Sequence, residues 1–265
     1  MESIKSNVCR AEDQSFGEQL PEAPDAGAPD FSCAITYTQL TERLRSGRLH
    51  IVDVRSPSLF NDFHIDGALN IAAGELHAKA YLQQSPLVLT GSGKNDVQLY
   101  RLCRRLHDAG FKSVSVLQGG MLIWGAKGGS VLGQPPAVAP SRQLSAQELL
   151  LEKEFAHNHF VLMPEMLSLR NQFPPASVQA QIRGKGLPEA VLRSVKARHQ
   201  RASAIIMIGS NALAFHSQAD ALQKQTDIPV LVFVDGKNAV KEAEAAQRAI
   251  IASRSRPPRP QQCSQ

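Results

Sequence analysis

Leu87-Val88-Leu89-Thr90-Gly91-Ser92-Gly93-Lys94 is the stretch on which the fold turns. A short apolar run enters a glycine-rich turn. Behind it comes a helix-period segment in which Val97, Leu99, Leu102, Cys103 and Leu106 are apolar and Arg101, Arg104 and Arg105 are polar. Gly110 stands where a helix C-cap belongs. Val114-Ser115-Val116-Leu117 reads as a second strand, Gln118-Gly119-Gly120 as a turn, and Met121-Leu122-Ile123-Trp124 opens another helix. Strand, turn, helix, strand is a βαβ unit, so the two strands are expected to lie parallel in a buried sheet. The Thr90–Lys94 turn then sits at the carboxyl end of a strand and the amino end of a helix. Unpaired backbone N–H groups converge at such a place, which makes it the expected active-site position.

Around this unit, 265 residues suggest one or two domains, and an apolar fraction of 43% is enough for a proper core. The net charge of +5 is unevenly spread. Glu2, Glu12, Asp13, Glu18, Glu22, Asp25 and Asp30 lie near the start, whereas Arg254, Arg256 and Arg259 lie near the end without an acid. Aromatics are only 5%, and no aromatic-basic platform is seen, so nucleic acid is not expected as a partner. Cys9, Cys33, Cys103 and Cys263 form no CxxC and no zinc-like spacing, and are read as free thiols in a reducing cytoplasm. No apolar run approaches a membrane span and the first 30 residues lack a signal-peptide core. The expected location is therefore the cytoplasm, with no membrane contact.

The polar, proline-containing residues 1–32 are expected to be a disordered acidic tail. A helix from Tyr37 to Leu44 and a strand at His50-Ile51-Val52-Asp53-Val54 follow. Ile51-Val52-Asp53-Val54-Arg55, then Phe60 and His64-Ile65-Asp66-Gly67-Ala68, resembles the amino-terminal signature of the rhodanese-like (sulfurtransferase) family. Val116-Leu117-Gln118-Gly119-Gly120 with Trp124 resembles its closing signature. The resemblance implies a parallel sheet of about five strands with helices on both faces, and a family role for Asp53, Arg55, His64, Gly67, Gly119, Gly120 and Trp124. The residue chemistry agrees. Asp53 at a strand end can accept N–H bonds from the next turn, and Arg55 offers a bidentate fork. The glycines allow backbone shapes that other residues resist, and His64 is expected to bond a loop.

The resemblance places the family's catalytic cysteine at the start of the loop after the central strand, where this chain has Thr90. Sulfur transfer needs a thiolate that carries the outer sulfur as a persulfide. A threonine hydroxyl does neither. Sulfurtransferase activity by this domain is therefore not expected. Two readings of the loop Thr90, Gly91, Ser92, Gly93, Lys94 and Asn95 stay open: a cradle for a small anion at a helix amino terminus, or an inherited shape without a ligand.

Gly128-Gly129-Ser130, Gly133, Pro135-Pro136 and Pro140 mark residues 129–143 as a linker. Residues 144–252 then repeat the pattern in worn form. Phe160-Val161-Leu162-Met163 matches His50-Ile51-Val52-Asp53, and Ser168–Phe173 matches Ser58–Phe63. Ala204–Ser210 matches Pro86–Ser92, and Val232–Gly236 matches Ser115–Gly119. On this pairing Met163 replaces Asp53, Glu165 replaces Arg55, and Ile208 takes the cysteine position. The other reading of this half is a different αβα domain, such as a thioredoxin-like one, although no CxxC is present. His157 and His159 are read as a surface loop, and Glu242 and Glu244 as a solvated helix face. Arg193, Lys196, Arg198, His199 and Arg201 form a basic cluster, either structural or a dock for an acidic segment.

The expected architecture is α/β: two rhodanese-like three-layer αβα domains, each a mostly parallel sheet with helices on both faces. Residues 33–128 form the first, 144–252 the degenerate second, and 253–265 a basic Pro-rich tail. The expected function is a catalytically inactive module that binds a protein segment or a small anion, with no cofactor and no metal. The alternative is a sulfurtransferase of thiosulfate or mercaptopyruvate type that uses Cys103 or Cys263.

Overall fold

The computed structural model describes residues 27–47, 49–174, 178–180, 186–198, 200–210 and 212–254. Residues 1–26 and 255–265, with Cys9 and Cys263, lie outside the described residues, as do His199 and Asn211.

In chain order the first half runs β1 (Ala34–Ile35), α1 (Tyr37–Ser46), β2 (His50–Asp53), α2 (Pro57–Asp62), β3 (Phe63–Ile65), β4 (Leu69–Asn70), β5 (Leu87–Thr90), α3 (Val97–Asp108), β6 (Val114–Leu117) and α4 (Gly120–Ala126). The sheet order is β1-β6-β5-β2-β4 and every pairing is parallel. Alternation along the strands sorts side chains between two layers. Leu87 and Leu89 join Leu99, Leu102 and Leu106 of α3 on one face. Val88 joins Leu40 of α1 and Ile123 and Trp124 of α4 on the other. Helices therefore cover both faces of the parallel sheet, as the βαβ pattern requires.

The second half repeats this plan. It runs α6 (Ala146–Lys153), β8 (His159–Leu162), β9 (Val178–Ala180), α7 (Leu187–Lys196), β10 (Ile205–Ile208), α8 (Ala212–Gln223), β11 (Val230–Phe233) and α9 (Gly236–Arg254). The order β11-β10-β8-β9 is again all parallel. It reproduces β6-β5-β2-β4, and a parallel bridge of Gln143 to Val232 stands where β1 pairs with β6. Phe160, Leu162, Ile206 and Ile208 face Leu149 of α6 and Val240 of α9, while Val161, Ile205 and Met207 face Val191 of α7 and Phe215 of α8. Both halves also start alike. Thr36 with Gln39 caps α1, and Ser145 with Glu148 caps α6, each as a reciprocal capping box.

The register corrects the expected pairing of the halves by one residue. Asp53 lies opposite Thr90, whereas Ile208 lies opposite Leu162. If Ile208 stands for Thr90, then Leu162, not Met163, stands for Asp53, and Pro164, not Glu165, for Arg55. Likewise Leu87 pairs with Val114 and Ile205 with Val230, so Gly236, which opens α9 at φ 79°, stands for Gly120. A gapless match anchored in the helix after the strand carries that helix's frame into the strand, although the intervening turns differ.

Two further expectations change. The segment read as a linker contains β7 (Val131–Gly133), which pairs antiparallel with β3, and α5 (Val138–Arg142). Glycine at 133 serves that pairing, because a Cβ there would overlap the Asp62 carbonyl. Residues 31–32, read as tail, belong to the fold: Phe31 is buried and meets Tyr100 and Phe155 edge-on.

The cysteine reading also changes. Cys33 and Cys103 are joined by a disulfide, both side chains buried, across a sequence separation of 70. Such bonds persist in oxidising surroundings and are rare in reducing ones, so the inference from free thiols to a reducing cytoplasm falls. No helix among the described residues is long and apolar enough to cross a membrane. In the chain-entropy view a loop of this length stabilises the fold by about 4 kcal/mol. Urea unfolding with and without a phosphine reductant is expected to show a loss of that order, and an unchanged midpoint would show that the bond constrains little.

Candidate functional site

The loop between β5 and α3 is built from two glycine turns that fit into each other. The carbonyls of Gly91 and Ser92 accept the N–H groups of Met121 (2.9 Å) and Leu122 (3.3 Å), which seats the first turn of α4 on the loop. Gly93 and Gly120 permit this approach. Both have positive φ, and a Cβ on Gly93 would overlap the Gly119 carbonyl, while one on Gly120 would overlap that of Gly91. Thr90 is fully buried, and its Oγ1 has no hydrogen-bond partner among the described residues.

Beside Thr90 the end of β2 is pinned. Arg55 Nη2 lies 2.7 Å from Asp53 Oδ2, and the Arg55 N–H donates to Asp53 Oδ1 at 3.0 Å. The same guanidinium donates to the Phe63 carbonyl at 2.6 Å and covers its ring. Asp53 and Arg55 thus hold the α2–β3 corner to the sheet. His64 Nδ1 is 2.8 Å from the Phe60 carbonyl, with the two rings stacked. Gly67 has φ 75°, and Trp124 donates Nε1–H to the Ser130 carbonyl. Ile208 is buried at the end of β10, inside the second core.

The second half closes the loop from outside. Lys94 Nζ donates to the Gln143 carbonyl (2.7 Å) and pairs with Glu148 (3.1 Å). The Asn95 N–H donates to Glu152 Oε1, and Glu152 Oε2 accepts from Asn158 Nδ2 at 2.7 Å. Asn95 has φ 55°, a left-handed turn that asparagine tolerates and that opens the approach to α3. Next to it, the fully buried carboxyl of Asp96 accepts the Gly119 N–H at 2.7 Å. Gln118 Nε2 donates to the carbonyls of Ala202 and Ser203, and Pro229 packs on Gly119. At the rim, Lys127 pairs with Asp227 (2.9 Å) and the buried Arg142 with Asp220 (2.8 Å).

Burial raises the Asp96 carboxyl to about 7; the Gly119 N–H opposes this and nearby Glu152 adds to it. Burial likewise raises Glu152, against the hydrogen bonds from Asn95 and Asn158. Two carboxyl groups, one from each half, therefore share a dry interface.

Sequence reasoning missed Glu148, Glu152 and Asp96. One signal was present: Glu148 and Glu152 are four residues apart on one helix, a repulsive spacing unless the face meets donors. His157 lies half-buried in a turn, whereas His159 opens β8 and is buried, against the surface-loop reading. His157 packs beside Phe31 and Phe155, and the buried His159 lies 2.8 Å from Ser194 Oγ, its basicity lowered to about 4 by burial and by Arg198. Within the basic cluster, Arg198 donates to the carbonyls of Ala156 and Asn158, and Arg201 covers the Phe31 ring.

Residues 36–127 match a family model described as a rhodanese-like domain. The rhodanese-like domain of the Alr3790 protein from Anabaena sp., solved by NMR, is 33% identical over 38% of this chain and 81% of its own, with a TM-score of 0.33. A crystal structure of the Alr3790 protein is 35% identical over 36% of this chain and 88% of its own, TM-score 0.33. The chain belongs to the rhodanese-like family. A thiosulfate sulfurtransferase from Pseudomonas aeruginosa is 21% identical, covering 80% of this chain and 42% of its own, TM-score 0.34. No match was found among curated proteins.

The rhodanese-like half therefore meets its neighbour through carboxyl groups whose titration is coupled to folding. Asp96 has its native value raised above 3.8, to about 7. Its unfolded form loses the proton first, so the associated stability is full below about 4 and is lost as pH rises toward 7. Glu152, raised from 4.5, acts in the same direction. His159 opposes them: its depressed value means stability present above 6.5 and lost as pH falls through about 4. Asp96→Asn keeps an acceptor for Gly119 and removes the charge. It is expected to raise stability at pH 8 by up to roughly 4 kcal/mol and to flatten the decline between pH 4 and 7. Urea unfolding across that range checks both, and an unchanged profile would show that Asp96 does not titrate there.

Proposed function

We propose that this rhodanese-like chain is a non-catalytic binding module whose glycine loop receives carboxylates, in the resting chain those of its own second half. The family is related to sulfur transfer, and the observation that carries the proposal is the state of Thr90. It stands at the cysteine position of the family pattern, has no thiol, and is fully buried beneath a loop whose Lys94 and Asn95 are held by Glu148 and Glu152. The Asn95 N–H and the Lys94 ammonium are the anion-receiving groups of the loop, and both hold side chains of α6. A protein segment or small anion that binds here must displace α6, which makes the interface between the halves the regulated element. In this reading the second half is a degenerate rhodanese-like domain; its matching strand order, cap and register support that assignment.

The alternative, sulfur carried by Cys103, fares poorly, because that sulfur is buried and bonded to Cys33. Cyanide-dependent turnover of thiosulfate or mercaptopyruvate is expected to be absent. Turnover that disappears with Cys103→Ser or Cys263→Ser would overturn the proposal. Thr90→Cys alone is expected to remain unmodified by thiosulfate, being covered. Thr90→Cys combined with Glu148→Ala and Glu152→Ala is expected to open the loop and gain the mass of one sulfur. Equal uptake by the single and triple variants would show that α6 does not seal the site.

A further inference from the structure

The disulfide has a third neighbour, His107. His107 lies one helical turn beyond Cys103 on α3, and this four-residue spacing puts both side chains on one helix face. Its Nε2 is 4.0 Å from Cys103 Sγ, and the two sulfurs and one ring nitrogen all lie within 4.8 Å of one another. The cysteines are buried and the histidine is exposed.

Cys33 is held near this helix by more than its bond. Phe31 sits among Tyr100, Phe155 and His157, the Asp30 N–H donates to the Tyr100 carbonyl, and Ala34 pairs with Val116 immediately after Cys33. Breaking the sulfur–sulfur bond therefore leaves three donors, two soft and one borderline, converging on one point. A tetrahedral zinc site has metal–sulfur distances of about 2.3 Å and metal–nitrogen distances of about 2.0 Å, which places donors roughly 3.5 Å apart. The 4.0 Å between Cys103 Sγ and His107 Nε2 is already near this spacing. Two thiolates and an imidazole suit a thiophilic cation.

We propose that, on reduction, Cys33, Cys103 and His107 form a three-ligand site for one zinc-class cation, so that the start of the domain is fastened to α3 by a disulfide in one redox state and by a metal in the other. The balance is simple. A dithiol supplies two electrons and two protons, splits the bond into two thiols, and closes to its own disulfide. Binding of the dication releases the two thiol protons and leaves a neutral bis-thiolate centre, with water in the fourth position on the exposed side. Charge neutrality removes the cost of burying two thiolates. No sequence motif announces the site, because its first ligand is 70 residues from its second.

The test uses the full chain carrying Cys9→Ser and Cys263→Ser, so that tail thiols contribute nothing, reduced with a non-chelating phosphine that ends as its oxide with oxygen taken from water. Cobalt(II) alone is the probe. One equivalent is expected to bind with sulfur-to-metal charge-transfer absorption, and the oxidised chain is expected to bind none. Zinc should displace the cobalt, restore the thermal midpoint lost on reduction, and protect both thiols from alkylation. His107→Ala, an exposed substitution that leaves the core intact, is expected to weaken binding by more than the roughly tenfold that loss of even an outer-shell partner costs, while Cys33→Ser and Cys103→Ser abolish the charge-transfer band. Absence of uptake by the reduced chain, equal uptake by the oxidised chain, or unchanged affinity in His107→Ala would each overturn the proposal.

Discussion

The carboxylate of Glu152 on the backbone N–H of Asn95 is the contact around which the two halves are arranged. It places a charge-bearing group of one domain at the amino end of the other's helix, where orphan N–H groups need an acceptor. Everything adjacent follows from that placement. Glu148, one turn earlier on α6, falls opposite Lys94, and Asn158 turns inward to hold the second Glu152 oxygen. The turns at 91–93 and 119–120 interlock beneath, since Gly93 and Gly120 carry no side chain that would keep them apart. The loop of the parallel sheet becomes a joint.

A joint of this kind is stable only while its carboxyl groups are satisfied or neutral. Burial makes ionisation costly, and each half contributes one such group to the same dry space. In the proposed role, a binder that competes for Lys94 and Asn95 must offer an acceptor in place of Glu148 and Glu152. That constraint gives the proposed binding role its chemical selectivity. Beneath the joint, Thr90 is the buried last residue of a central strand, paired with Asp53.

Much of the layered fold was legible from local pattern. The runs at 87–89, 205–208 and 230–233 are continuous apolar strands, as strands covered on both faces tend to be, 114–117 is broken only by Ser115, and all four are parallel. The capping residues at Thr36 and Ser145 are readable because their partners lie three residues away. The segment around 129–143 was misread because Gly and Pro there suggest a linker, whereas Gly133 is required by the close approach of β7 to the chain at Asp62. The one-residue slip between the halves arose in the turns after β2 and β8, where spacing alone does not fix register.

The sequence by itself determined the alternation of strands and helices, the rhodanese-like signatures of residues 36–127, and the absence of a thiol at position 90. Those features depend on periodicity and residue identity, which are local. Only the tertiary structure decided that Cys33 meets Cys103, that Phe31 joins the core, and that Glu152 reaches Asn95. Each of these joins residues tens of positions apart: the Cys33–Cys103 bond depends on how the first half closes on itself, and the Phe31–Phe155 and Glu152–Asn95 contacts on how the two halves pack, a geometry that no single stretch of chain encodes.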